Sequence, residues 1–153
     1  MFSGNRWYAI KDGNHAAYNL FTRHYSFNKY KDNRRAQLDN PNRHLFVGPG
    51  EKLVLMTSDS RALFVWRKFQ DASGQTGVNC AVFRNEGDYL SSELITEAEQ
   101  IAWVKWPGER LYTYVAPQKV SANPGYCFKM AGWKTVGKTR VNKLHILEKL
   151  PEA

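Results

Sequence analysis

The pattern of apolar and polar positions is clearest from Asn79 to Lys105, where it predicts a strand, a polar turn and a long helix. The strand is almost continuously apolar, which is typical of a central strand buried on both faces. Its apolar residues are Val78, Cys80, Val82 and Phe83. From Glu93 onward, apolar residues recur at helical spacing, as expected of a helix that packs one face against a sheet. These residues are Leu94, Ile95, Ala98, Ile101 and Ala102.

The polar turn between this strand and this helix is the first candidate for a binding site. Gly87 is free to take a positive φ angle there, and Ser91 or Ser92 is the expected N-cap of the helix. Glu93 then lies in the first turn, where the helix dipole favours a carboxylate. Unpaired backbone N–H groups at such a helix start point towards one place, which suits a phosphate or a pyrophosphate. We therefore expect an anion site at this corner.

Shorter patterns on either side predict the remaining elements. Before the central strand they predict strands at Arg6–Lys11, Leu45–Val47, Lys52–Thr57 and Arg61–Phe69, with a helix through His15–Phe21 capped by Asn14. After the long helix they predict a strand at Leu111–Ala116, a short helix that starts at Asn123 and ends at Gly132, and a hairpin of Trp133–Lys138 and Lys143–Glu148. A helix between two strands indicates a parallel crossover pair. The prediction is one α/β (mixed α+β) domain over residues 1–153, with a mostly antiparallel sheet, a central parallel pair and flanking helices.

Composition agrees with a globular domain and adds a strong positive charge. The chain has 153 residues, of which 42% are hydrophobic, and its net charge is +8. Such a field attracts polyanions, although a basic protein without a polyanionic partner accounts for the charge equally well. Two cysteines are too few for a disulfide framework, so free thiols in a reducing cytoplasm are expected. No stretch is long and apolar enough for a membrane span, and no signal-peptide pattern opens the chain.

Residues 26–44 mix basic side chains with the aromatic residues Phe27 and Tyr30. The basic residues are Lys29, Lys31, Arg34, Arg35 and Arg43. Phosphates would bind the charges while bases stack on the rings, so the segment is a candidate nucleic-acid surface. A solvated helix and loop with two aromatic rings in the core is the alternative.

Other side chains are candidates for chemistry, each with a structural alternative. Arg84, at the end of the central strand, would hold a phosphate or a carboxylate, or form a salt bridge with Glu86 or Asp88. His24 would act as a general base, or it is simply a helix-end histidine. Asn85 would orient a substrate amine or stabilise the turn. The remaining histidines have no spacing typical of a metal site, so no metal is predicted.

The order of the predicted elements resembles the GNAT superfamily of N-acetyltransferases over nearly the whole chain. The clearest local similarity is the segment RLYTYVAP followed by an Asn123-started helix that carries Phe128 and ends at Gly132-Trp133. Two features depart from the superfamily pattern. The turn at residues 84–88 has one glycine and two acids where a glycine-rich pyrophosphate turn is usual, and Phe128 stands where a general-acid tyrosine is often found. Tyr126 lies nearby in sequence, on another face of the helix.

Within that fold, the chain is similar to the phage Mom-type DNA-modification proteins. The shared segments are His24-Tyr25-Ser26 after the first helix, FRNE with Ser91-Ser92, and Gly132-Trp133 with Gly137-Lys138-Thr139. The chain departs after the later strand, where Ala116-Pro117 stand in place of an acid. The resemblance implies a transferase in the host cytoplasm that modifies the exocyclic amine of adenine in DNA.

This resemblance also implies roles for individual residues. His24, Tyr25, Arg84 and Ser92 would be catalytic. An acyl-CoA or related acyl donor would be held by Arg84, Asn85, Gly87, Ser91, Ser92 and Asn123. Two other functions stay open: an acetyl-CoA-dependent N-acetyltransferase of a small-molecule or protein amine, and a non-catalytic nucleic-acid-binding module.

Overall fold

The computed structural model describes residues 5–23, 47, 50–70, 74–116, 125–140 and 142–152. The strands formed by these residues are β1 (Trp7–Ile10), β2 (Glu51–Thr57), β3 (Ala62–Lys68), β4 (Val78–Asn85), β5 (Leu111–Val115), β6 (Lys134–Lys138) and β7 (His145–Lys149). Their helices are α1 (His15–Thr22), α2 (Ser91–Lys105) and α3 (Tyr126–Met130). None of these helices is both long and apolar enough to cross a membrane.

The strands form one sheet in the order β1-β2-β3-β4-β5-β7-β6, with β4 in the centre. The pair of β4 and β5 is parallel, and every other neighbouring pair is antiparallel. Helix α2 makes the crossover that a parallel pair requires. The predicted mixed α/β architecture, with a mostly antiparallel sheet and one central parallel pair, is confirmed.

Two hydrophobic cores lie on opposite faces of the sheet. The smaller core packs Leu20 and Phe21 of α1 against Leu63, Val65 and Val82. The larger core packs the predicted apolar face of α2, together with α3, against the other side of the sheet. Burial of each large apolar side chain contributes roughly 1.5–3 kcal/mol, so these two layers supply the main stabilisation of the fold.

Indole N–H groups fix the position of α2 over the sheet. Trp7 Nε1 donates to the carbonyl oxygen of Leu94 at 2.8 Å, and Trp66 Nε1 donates to that of Ala98 at 3.0 Å. Both indoles are fully buried. A buried indole combines a large apolar contact with one directional hydrogen bond, so each tryptophan sets both the depth and the register of the helix.

Strand β4 contains a β-bulge. Val82 pairs with Val65 and Cys80 pairs with Trp66, which leaves Ala81 between them as an extra residue. The extra residue reverses the alternation of side chains, so Cys80 and Phe83 both contact the larger core while Val82 contacts the smaller one. A bulge also bends and twists its strand, which redirects the second half of β4.

Several expectations about element ends were wrong. Strand β4 is central, but Phe83, Arg84 and Asn85 are only half-buried, because this half of the strand lies beyond its pairing with β5. Helix α3 has Gly125, not Asn123, at its N-cap, and Asn123 itself lies outside the described residues. Val47, the described part of the predicted strand at Leu45–Val47, is not in a strand.

Gly125 gives a direct test of the contact between α3 and the sheet. Its φ angle is 74°, and an added Cβ would lie 2.7 Å from Cδ2 of the fully buried Leu147. We expect Gly125→Ala to lower the free energy of unfolding by roughly 2–4 kcal/mol, from the left-handed backbone and the overpacked core together. Urea unfolding measures the loss.

Gly108→Ala is the matched control, because Gly108 has a φ angle of 76° with open space around its Cβ position. In this variant only the strain of a left-handed alanine should lower the free energy of unfolding, by about 1–2 kcal/mol. Equal losses of unfolding free energy in both variants would show that the Leu147 side chain can move aside, and that the close contact between Gly125 and Leu147 does not limit stability.

Candidate functional site

The candidate site lies where β4 and β5 separate, beside the N-terminus of α2. The parallel pairing of β4 with β5 consists of Val78–Leu111, Asn79–Tyr112 and Cys80–Thr113. Thr113 Oγ1 donates to the carbonyl oxygen of Cys80 at 2.9 Å, at the last pair. Both strands continue beyond this pair, and β4 runs five residues further, to Asn85. Their facing edges therefore present backbone N–H and C=O groups that do not pair with each other.

The turn after β4 is organised by the side chain of Asn85. Its Oδ1 accepts the N–H of Gly87 at 3.0 Å, while its Nδ2 donates to Tyr89 O at 2.8 Å and to Ser91 Oγ at 2.9 Å. One amide thus replaces the hydrogen bonds that a tight backbone turn would make. This is the turn role that the sequence had left as the alternative for Asn85.

Two expectations about the same turn were wrong. Gly87 does not take a positive φ angle, because the side chain of Asn85 closes the turn without one. The N-cap of α2 is Leu90, which makes no side-chain cap, and Ser91 and Ser92 are already helical. Ser91 Oγ instead accepts from Asn85. Glu93 lies in the first helical turn, as predicted.

The backbone N–H groups of Ser91 and Ser92 precede the first helical hydrogen bonds. Those bonds run from the N–H groups of Glu93 and Leu94 to Leu90 O, each at 3.1 Å. Such N–H groups at a helix start have no partner within the helix. The two N–H groups on which the predicted anion site depends therefore lie at the helix start, where neither serine hydroxyl caps the helix.

Both acids of the turn, Glu86 and Asp88, form ion pairs with arginines. Glu86 Oε2 accepts from Arg23 Nε at 2.6 Å and from Arg84 Nε at 3.1 Å. Arg61 donates to the carbonyl oxygen of Glu86 at 2.8 Å and lies 3.5 Å from the carboxylate of the exposed Asp88. The hydrogen bond from Arg23, and then that from Arg84, hold the pKa of Glu86 below its usual value. The charge of each acid is thus offset locally by an arginine.

Of the two roles predicted for Arg84, the structural one is present. Arg84 forms the salt bridge with Glu86 that the sequence had offered as the structural role. Its side chain is 40% exposed, so the guanidinium remains accessible to an incoming anion. A phosphate would have to compete with Glu86 for it.

The other side of the helix start is acidic. Ser92, Glu93, Thr96, Glu97 and Met130 line a shallow groove between α2 and α3. Arg6 lies 3.7 Å from each of the two carboxylates. An anion at the helix start would therefore meet arginines on the β4 side and carboxylates on the α3 side.

The remaining predicted site residues lie outside the part of the chain that the structure describes. They are His24, Tyr25, Lys29, Lys31, Arg34, Arg35, Arg43 and Asn123. The candidates that the fold brings together are Arg84, Asn85, Gly87, Ser91 and Ser92, all at the corner of β4 and α2.

Helix α3 contributes packing to this site. Phe128 is buried and contacts Phe83 edge-on at 5.9 Å between ring centroids, and Trp133 at 4.9 Å. Tyr126 points away from that core and is 54% exposed. The sequence-based placement of these two residues on different faces of the helix is confirmed, so the place beside Phe83 is filled by a phenyl ring without a hydroxyl.

Helix α2 also carries a buried carboxylate that was not predicted from the sequence. Glu99 is 1% exposed and accepts hydrogen bonds from Trp133 Nε1 and Lys149 Nζ, each at 2.7 Å. Lys149 Nζ also donates to Ala131 O at 2.7 Å. Burial raises the pKa of Glu99, while the hydrogen bonds from Lys149 and Trp133 oppose that rise. Its spacing in the sequence could have indicated this burial, because Glu99 lies four residues after Ile95 on the apolar face of the helix.

Comparisons with known proteins add no relative. No protein-family profile matches the chain, and a search of curated proteins finds no match.

Glu86→Gln tests the arginine contacts of the turn through their dependence on pH. Because the pKa of Glu86 is lower in the folded protein, its contribution is present above the unfolded value of 4.5 and is lost as pH falls through the folded value. We expect the variant to be less stable at pH 7 by up to about 1 kcal/mol, since the arginines are partly exposed. Urea unfolding between pH 7 and pH 3 should show this difference shrinking; a difference independent of pH would contradict the assignment.

Glu99→Ala tests the buried cluster. We expect it to lower the free energy of unfolding by about 3–5 kcal/mol, because Lys149 and the indole N–H of Trp133 would lose their partner inside the protein. Glu93→Ala is the control on the same helix: its side chain is 55% exposed and pairs with Arg6 at 3.7 Å, so a loss below about 1 kcal/mol is expected. Similar losses in both variants would show that the Glu99 cluster has no special role.

Proposed function

We propose that this protein is a GNAT-like group transferase that modifies the exocyclic amine of adenine in DNA, with an acyl-CoA or a related acyl donor. The observation that carries the proposal is the separation of β4 and β5 beyond Cys80 and Thr113. An extended donor that contains amide groups, such as the pantetheine arm of an acyl-CoA, would pair with these facing strand edges, which do not pair with each other in the described part of the chain, as an added strand does.

The architecture around the separation supports the same reading. From β2 onward, the described elements follow the order that the sequence predicted: two strands, the central strand, a helix, a parallel strand, a short helix and a hairpin. This order is compatible with the resemblance to the GNAT superfamily. The bulge at Ala81 bends β4 next to the point where its pairing with β5 ends. In open α/β sheets, ligands bind at the carboxyl ends of the parallel strands, which is where this separation lies.

The anionic end of the donor would bind at the corner of β4 and α2. There the N–H groups of Ser91 and Ser92 begin the helix, and Arg84 lies at the end of β4. In this proposal a phosphate of the donor replaces Glu86 as the partner of Arg84. The bidentate geometry of a guanidinium suits a phosphate oxygen pair, and the helix dipole adds to the attraction.

The transfer itself would be an acyl substitution. The adenine amine nitrogen attacks the carbonyl carbon of the donor thioester, the carbon–sulfur bond breaks, and a carbon–nitrogen bond forms. The nitrogen loses one proton, for which His24 or Tyr25 is the proposed acceptor, and the departing thiolate takes up a proton. A base amine is hidden inside a duplex, so the nucleotide would be flipped out or taken from an exposed strand.

Mass spectrometry of nucleosides tests this function directly. DNA from cells that express the folded protein together with a supply of donor should contain a modified adenine nucleoside. Arg84→Ala should lower donor affinity by roughly 10- to 100-fold, the worth of a lost charged hydrogen bond, and should reduce the modification accordingly. Arg67→Ala is the control, because Arg67 pairs with Asn79 at the opposite end of β4 and should leave the yield unchanged.

Other results would select the alternative functions. Saturable acetyl-CoA binding in calorimetry, without affinity for DNA, would indicate an N-acetyltransferase of a small-molecule or protein amine. DNA binding that Arg84→Ala leaves unaffected, with an unmodified adenine pool, would indicate a non-catalytic nucleic-acid-binding module.

A further inference from the structure

The C-terminal hairpin, residues 134–149, forms a basic ribbon at one edge of the sheet. Every residue of β6 is exposed, and β7 connects this strand to β5. The ribbon carries five cationic side chains and a single carboxylate, Glu148. Five residues of strand span about 17 Å at roughly 3.3 Å per residue, so the charges are spread along an extended surface.

One cation of the ribbon, Lys149, and its single carboxylate, Glu148, form ion pairs with residues outside the ribbon. Lys149 pairs with the buried Glu99 at 2.7 Å, and Glu148 accepts from Arg110 at 2.7 Å. The other four cations have no ion pair within the residues that the structure describes. They are Lys134, Lys138, Arg140 and Lys143, and all four are exposed. The ribbon therefore presents a net positive surface that the protein itself does not compensate.

The opposite edge of the sheet is arranged differently. Arg6, next to β1, faces the carboxylates of Glu93 and Glu97. Lysines on an edge strand also prevent edge-to-edge pairing of sheets, which would account for Lys134 and Lys138 alone. Arg140 and Lys143 lie in the turn beyond the strand, where that reason does not apply. Protection of the sheet edge therefore does not explain the positive charge of the turn.

The turn that carries Arg140 and Lys143 is held by hydrogen bonds. The N–H of Thr139 donates to Leu144 O at 2.9 Å, and the N–H of Leu144 donates to Thr139 Oγ1 at 3.0 Å. Lys143 has a φ angle of 55°, a left-handed conformation that turns the chain back towards β7. These hydrogen bonds hold Thr139 and Leu144, the residues on either side of the two cations.

We propose that this hairpin binds the phosphate backbone of duplex DNA, an inference that deepens the proposed function by naming the surface that holds its DNA. The exposed edge strand β6 and the turn that follows it face solvent, and the lysine and arginine side chains along them would neutralise phosphates of the duplex. Apart from lysine, β6 offers only threonine, valine and glycine side chains. Contacts from these cations to phosphates would fix the position of the DNA and carry no sequence information.

The test compares two triple variants that each remove two lysines and one arginine. Lys134→Gln, Lys138→Gln and Arg140→Gln change the hairpin. Lys11→Gln, Arg67→Gln and Lys105→Gln make the same change in net charge elsewhere, and Lys11 directly follows β1 at the other edge. Binding of a fluorescent duplex DNA is measured without donor by anisotropy between 50 and 200 mM salt, after thermal unfolding has shown that both variants fold.

Wild type should bind this duplex with a strong dependence on salt. The hairpin variant should lose at least roughly 100-fold in affinity at 0.1 M salt, and the slope of log K against log salt should fall by about 2.7 in magnitude. The control variant should keep the wild-type slope. If the hairpin triple variant does not fold, the single variant Lys134→Gln still predicts a slope smaller by about 0.9.

Several results would overturn the inference. Equal losses in both triple variants would show that net charge alone matters, and an unchanged hairpin variant that forms multimers would show that the lysines only protect the edge. Wild-type binding to anionic lipid vesicles but not to DNA would assign the surface to a membrane. Hairpin-dependent DNA binding without any modified adenine would instead overturn the transferase proposal and leave this surface intact.

Discussion

The short parallel pairing between β4 and β5 is the constraint on which the rest of the structure depends. Parallel neighbours need a crossover, so α2 must pass over the sheet, and its buried face then creates the larger core. The pairing ends at Cys80 and Thr113, next to the bulge at Ala81, because a bulged strand bends away from its neighbour. One local irregularity thus yields an open pair of strand edges inside an otherwise continuous sheet.

Buried polar contacts then connect this crossover to the C-terminal hairpin. Glu99 reaches from α2 to Trp133, just before β6, and to Lys149, at the end of β7. A buried carboxylate with two strong donors is costly to form and costly to break, so it specifies one position of the hairpin relative to the helix. The same helix thus begins at the corner proposed to hold the donor and contacts, through Glu99, the end of the hairpin proposed to hold DNA.

The distribution of charge separates these two surfaces. At the corner of β4 and α2, Arg23, Arg61 and Arg84 face Glu86 and Asp88, so the charges nearly balance and an anion would have to displace an existing partner. On the hairpin, four cations face solvent without a carboxylate near enough to pair within the described chain. Exchangeable partners favour a specific small anion, whereas unpaired charge along a ribbon favours a long polyanion.

By itself, the sequence determined the type and order of most of the described elements, because apolar periodicity and turn residues act locally. It placed the apolar face of α2, the cap at Asn14 and the parallel crossover, all of which the structure has. Only the tertiary structure decided that Asn85 organises the turn, that Glu86 joins Arg23 to Arg84, and that Glu99 is buried with Lys149. Those contacts join residues up to 63 positions apart, and no local pattern of side chains encodes which distant partner a charge will meet.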